Sequence, residues 1–181
     1  MNKIYVFLAE GFEEVEALTP ADVLNRAGFE VVLVSANNDL LVTGAHHIPV
    51  KCGCFIEHVN SKDATMLILP GGMPGTLNLM ACEKVKSLVQ EFHAHGKWIG
   101  AICAAPMILG EMGLLKGKKA TCYPGYEKHL IGADFVKVPA ITDGKIVTGR
   151  GVGTAMDFSL EIVGNLLGSA ASKELAEKMV V

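Results

Sequence analysis

Short apolar runs recur along the chain, at residues 4–8, 31–35, 66–69, 98–102 and 146–148, and most read hydrophobic at consecutive positions rather than at alternate ones. Runs apolar on both faces suit parallel strands covered by helices on each side. Between and after them lie segments with a period near 3.6, which predict helices over 14–27, 83–95, 104–112, 154–167 and 172–179. In the first of these, Val15, Leu18, Val23 and Ala27 form the expected core-facing stripe. Pro20 falls inside that helix and should distort it, and Gly28 should end it. Thr43-Gly44 and Thr142-Asp143-Gly144-Lys145 read as turns of small antiparallel additions to the sheet. Strand and helix alternate without a repeat or linker, so residues 1–181 are expected to form one doubly wound α/β domain, mostly parallel, with helices on both faces. In such sheets ligands bind beyond the carboxyl ends of the strands.

Composition narrows the function classes. Half of the 181 residues are hydrophobic and 19% are charged, which excludes a disordered chain, and a length of this order buries about 70% of the unfolded surface without help from disulfides or metals. The formal charge of −3 offers no basic field for phosphate backbones, so nucleic acid is not an expected partner. The first apolar run reaches an acid at Glu10, too soon for a membrane span or a signal core. Five cysteines without framework spacing fit free thiols in a reducing, cytoplasmic setting, where any one of them is open to chemistry.

The junction of the run 98–102 with Cys103-Ala104-Ala105-Pro106 carries the strongest chemical signal. A nucleophile on a sharp strand-to-helix turn needs small neighbours, and Ala101 and Ala105 lie two residues to either side, as the small positions do in a Gly-x-Ser-x-Gly elbow. Amides of the following helical turn should favour the thiolate and bring its pKa below the ~8.5 of a free thiol. The run 66–69 leads into Pro70-Gly71-Gly72, whose Gly72 amide, with that of Ala104, is placed to hold an oxyanion.

Those two junctions, taken with Ala9-Glu10-Gly11-Phe12-Glu13-Glu14-Val15-Glu16, Pro20-Ala21-Asp22-Val23-Leu24, Arg26-Ala27-Gly28 and Thr148-Gly149-Arg150-Gly151, resemble the ThiJ/PfpI superfamily, in the branch that includes the Parkinson-disease protein and protein deglycases. The resemblance implies a flavodoxin-like sandwich, usually a homodimer, with a reactive Cys103 on the elbow and Glu16 against its sulfur. It implies cofactor-independent chemistry on reactive 2-oxoaldehydes or early glycation adducts, of the glyoxalase or deglycase kind. The alternative is a non-enzymatic sensor of oxidative stress, or a protective chaperone-like protein, using the same oxidisable cysteine. In some members a histidine stands beside the nucleophile; here Ala104 and Tyr123 occupy the two places, which counts against a PfpI-type peptidase or amidase. His46, Tyr123 and Arg150 are candidates for lining the pocket, His46 by reaching a partner's site.

Other patterns carry less. Gly149-Arg150-Gly151-Val152-Gly153 has Thr154 where a dinucleotide fingerprint needs its third glycine, and Gly117-Lys118-Lys119-Ala120 is no Walker loop. Cys52-x-Cys54 with His46, His47 and His58 lacks the second pair of a structural zinc site, so no metal is expected. His93 and His95 suit a helix C-terminus, His129 a solvated turn, and Met107 and Met112 the core.

Overall fold

The computed structural model describes residues 2–181. Its main sheet has seven strands. In chain order, β1 is Lys3–Leu8, β2 Glu30–Ser35, β3 Leu41–Thr43, β4 Pro49–Lys51, β5 Cys54–Phe55, β6 Ala64–Leu69, β7 Trp98–Ile102, β8 Lys119–Ala120, β9 Asp134–Phe135, β10 Ala140–Asp143 and β11 Ile146–Gly149. The main sheet runs β10-β11-β7-β6-β1-β2-β5, parallel throughout except for the edge strand β10. Chain order and spatial order thus reverse around β1, the doubly wound arrangement expected. The Asp143–Gly144 turn joins β10 to β11 within this sheet, as predicted. The other predicted addition differs: β3 and β4 form a separate two-stranded ribbon.

The helices are α1 (Glu14–Arg26), α2 (Gly75–Ala81), α3 (Glu83–Ala94), α4 (Pro106–Glu111), α5 (Ala155–Leu167) and α6 (Ser169–Met179). Alternation along β1 divides the core between two layers. Ile4, Val6 and Leu8 meet Val23 and Leu24 of α1 with Phe158 and Ile162 of α5, while Tyr5 and Phe7 join Leu88 and Phe92 of α3 with Ile108 of α4. The α5 stripe Ala155, Phe158, Ser159, Ile162, Val163 keeps strict helical spacing and is buried throughout. Gly100 on β7 makes room for it, because a Cβ there would lie 3.0 Å from the tip of Phe158. No helix among the described residues is long and apolar enough to cross a membrane.

Two expectations for α1 change. Val15 and Leu18 are exposed, at 46% and 37%, and the buried face carries Glu14, Glu16, Ala17, Pro20, Ala21, Val23 and Leu24. The first turn of α1 lies beyond the end of β1, where backbone amides rather than hydrocarbon receive it. Acids therefore occupy its inward positions. At the other end Gly28, at φ 90°, closes α1 as expected: its amide donates to Asn25 and that of Phe29 to Leu24, the paired bonds of a Schellman cap.

Truncating the ring that fills the space over Gly100 should be costly. Phe158→Ala is expected to lower unfolding free energy by about 4 kcal/mol, read from urea denaturation, because the cavity lies between α5 and a sheet that cannot collapse into it.

Candidate functional site

Four segments meet beyond the carboxyl edge of neighbouring strands: the one after β1 carrying Glu13 and, in the first turn of α1, Glu16, the one after β6 carrying Gly72 and Met73, the one after β7 carrying Cys103, and the one after β11 carrying Val152. Together with Ala104, Tyr123 and Tyr126 they enclose a cavity of about 220 Å³ with the Cys103 sulfur in its wall. A larger groove of about 430 Å³ beside α5 and α6 shares no residue with it and contains no thiol.

Cys103 is one of three described non-glycine residues with positive φ, at 65°. Its place is over-determined by the backbone. Its amide donates to the Gly149 carbonyl at 2.9 Å, its carbonyl accepts from the Tyr123 amide at 2.7 Å, and the Ala105 amide turns back to Ile102 at 3.0 Å. Ala101 and Ala105 flank it, fully buried, as the elbow requires. The following helix begins only at Pro106 and spans six residues, so the polarity at the sulfur comes from single amides, those of Ala104 and Gly72, rather than from a long helix.

Glu16 projects into the same corner. Its side chain is fully buried, Oε2 accepts from the Gly71 amide at 2.9 Å, and the carboxyl hydrogen-bonds the Cys103 side chain. Its Oε1 is buried without a protein partner, which leaves that oxygen available to carry a proton. Gly71 is necessary to this contact, because a Cβ would lie 2.5 Å from Glu16 Oε2 and 2.7 Å from Cys103 Cβ. Gly72, at φ 89°, approaches the Phe12–Glu13 backbone so closely that a Cβ would collide with the Glu13 amide.

Burial is the dominant effect on both ionisable groups. It raises the Glu16 carboxyl to about 7, against a smaller lowering by the Cys103 and Gly71 hydrogen bonds. The Cys103 thiol is also raised, by burial, by the charge of Glu16 and by the Glu16 hydrogen bond, and the amides of Ala104 and Gly72 oppose this without overcoming it. The expected low-pKa thiolate is thus corrected. At this contact the charge of Glu16 disfavours the thiolate rather than sustaining it. Cys52 and Cys122 are raised too, to about 12 and about 11, chiefly by burial, but both are closed off in the core.

The remaining candidates separate. Tyr123 lines the cavity. His46 is not part of the lining of its own chain's cavity: its ring is held at 2.8 Å by Glu14 and at 3.7 Å by Glu13, and Glu14 also accepts from the His46 and Ile48 amides at 2.8 and 3.4 Å. The Glu14 bond, then the Glu13 charge, raises the pKa of His46; Glu14 itself, although burial opposes it, is lowered by the His46 ring and the backbone amides. Arg150 also lies outside the cavity lining, with its guanidinium 6.0 Å from the Phe135 ring centre. His129 is not simply solvated: Nδ1 lies 2.9 Å from Glu111, and its ring faces Tyr126 at 6.2 Å. Among the described residues one group, Glu13, Glu14 and His46, brings three possible metal-ligand atoms within 4.8 Å of one another; the cysteines at 52 and 54 join no such group. Glu13, Met73, Tyr126 and Val152 were not marked by the sequence reading. Their only signal was a place just after a strand or after the predicted elbow.

The chain belongs to the DJ-1/PfpI family, whose pattern matches residues 2–165. It is 37% identical to Protein DJ-1 homolog B of Arabidopsis thaliana over 99% of this chain and 42% of that protein, so it spans less than half the length of that relative. A protein named deglycase from Pyrococcus abyssi is 32% identical, over 89% of this chain and 97% of its own. A structure of Toxoplasma gondii DJ-1, described as oxidized, superposes with a TM-score of 0.94 at 31% identity, covering 99% of this chain and 98% of that one.

Two consequences are open to measurement. The raised Glu16 contributes stability that is fully present below its unfolded value of 4.5 and is lost as pH rises through about 7. Glu16→Gln should therefore gain on the native chain, on the order of 3 kcal/mol between pH 4 and pH 8 in denaturant titrations. Gly71→Ala would displace the two hydrogen bonds that lower the Glu16 carboxyl while its burial remains, so it should preserve or enlarge this pH-dependent difference.

Proposed function

We propose that this protein is a cofactor-independent cysteine enzyme that converts reactive 2-oxoaldehydes, or their early adducts, to hydroxy acids. The observation that carries this reading is the contact between a buried carboxyl with a pKa near neutrality and a cysteine sulfur faced by two backbone amides. A general base works best when its pKa lies near the operating pH.

The chemistry balances without an outside oxidant. Glu16 takes the thiol proton as Cys103 Sγ bonds to the aldehyde carbon, and the carbonyl π electrons move to oxygen, which the Gly72 and Ala104 amides stabilise until Glu16 passes that proton to it and is again a carboxylate. Glu16 next removes the proton from C1 of this hemithioacetal and returns it to C2. C1 becomes a thioester carbonyl, and C2 is reduced to an alcohol. Water then cleaves the C–S bond, releasing the 2-hydroxy acid and restoring the thiol. The name deglycase borne by the Pyrococcus relative supports carbonyl chemistry of this class.

A second reading has its own support: the partly buried Cys103 is the thiol that lines this cavity, and the Toxoplasma relative is described as oxidized. In that reading Cys103 is a peroxide sensor. We further propose a homodimer pairing across α1, where Val15 and Leu18 lie exposed beside Ile48, the last of these also exposed and tied to Glu14. Leu18→Glu should then convert the dimer to a monomer in sedimentation.

Lactate formation from methylglyoxal tests the enzyme reading. Cys103→Ser should abolish it, and Glu16→Gln should lower kcat by ~10²–10³-fold. The rate of the native enzyme should rise with pH through a midpoint near 7, as Glu16 ionises, and this midpoint should vanish in Glu16→Gln. Absence of turnover, with selective peroxide oxidation of Cys103 in mass spectra, would establish the sensor instead.

A further inference from the structure

The mouth of the Cys103 cavity is unusually apolar for exposed surface. Met73, Tyr123 and Val152 stand there 37%, 46% and 44% exposed, and each is a large hydrophobic side chain that folding has left uncovered. Three such side chains around one opening mark a contact surface rather than incidental exposure.

The wall they form is held in place. The Tyr123 amide is bonded to the carbonyl of Cys103 itself, and the Tyr126 amide to the carbonyl of Tyr123 at 3.1 Å. The Tyr123 and Tyr126 rings meet edge to face at 6.3 Å, and Tyr126 is backed by His129, which Glu111 anchors. Gly151 leaves room for the first ring, since a Cβ there would come within 3.1 Å of it. The backbone beneath this aromatic surface is thus registered on Cys103.

Charge at the opening has one sign. The ionisable side chains of the lining other than Cys103 and the two tyrosines are the carboxyls of Glu13 and Glu16, and no lysine or arginine reaches it. The space, about 220 Å³, opens to solvent at this rim and so leaves room for a substituent larger than methyl.

We propose that this cavity selects neutral 2-oxoaldehydes bearing an aromatic or bulky apolar substituent, seated against Tyr123, and rejects anionic ones. The inference rests on the carbonyl reading above and names the substrate class of that site. Tyr123 is its specificity-determining residue. An apolar substituent of this size gains more burial than a methyl group does, and a ring contact that a methyl group lacks.

The test compares kcat/KM for phenylglyoxal, 4-carboxyphenylglyoxal and methylglyoxal. Phenylglyoxal should exceed methylglyoxal by about tenfold, and Tyr123→Ala should erase most of that ratio. The carboxylated analogue should be at least ~10-fold poorer than phenylglyoxal and should recover in part in Glu13→Gln. A ratio at or below one, or a ratio unmoved by Tyr123→Ala, overturns the inference. A measurement without turnover separates the two readings: 2-hydroxyacetophenone, but not hydroxyacetone at equal concentration, should slow iodoacetamide alkylation of Cys103. If no aldehyde is turned over, the enzyme reading falls, and equal protection by the two ketones would then overturn the pocket assignment as well.

Discussion

The architecture of the site depends on a carboxyl that has been taken out of water and placed against a sulfur. Glu16 is sealed from solvent, receives one backbone amide from Gly71 and touches Cys103. Burial of an acid is unfavourable unless it is neutral or well bonded, and here both conditions are only half met. The protein tolerates this because the sheet fixes both partners: Gly71 follows β6, Cys103 follows β7, and the two strands are neighbours in register, Leu69 beside Ala101. A carboxyl that hovers between its two protonation states near neutrality is the result.

The same first turn of α1 uses its other buried acid for a different purpose. Glu14 accepts from the amides of His46 and Ile48 and from the His46 ring, and so pins the loop that follows β3. Gly44 lets that loop close over it, because a Cβ there would run into the Glu14 carboxyl. Two acids two residues apart thus face different loops, one holding structure and the other holding a proton.

Much of the fold was legible because the strands of a covered parallel sheet are apolar on both faces, and α3 and α5 show their buried stripes at helical spacing. The elbow was legible from the small residues around Cys103. What escaped reading has physical reasons. The phase of α1 was misjudged because Glu14 and Glu16 are buried by amides that lie far away in sequence, which hydropathy does not register. Helix α2 was missed because its seven residues start at a glycine directly after the Gly71–Gly72 loop. The thiol's upward shift was missed because local amides are visible in sequence, whereas desolvation by a tertiary cavity is not. Glu16 as the sulfur's partner came from family likeness, not from any local pattern, and the apolar rim came from neither.

The main-chain bond between Tyr123 and Cys103 separates two jobs that many active sites entangle. Because the nucleophile is registered through peptide atoms, any side chain at position 123 springs from the same main-chain point beside Cys103. Such a position is a replaceable faceplate on a fixed socket: descendants of this chain can exchange what the opening admits while the reacting atoms stay where they are.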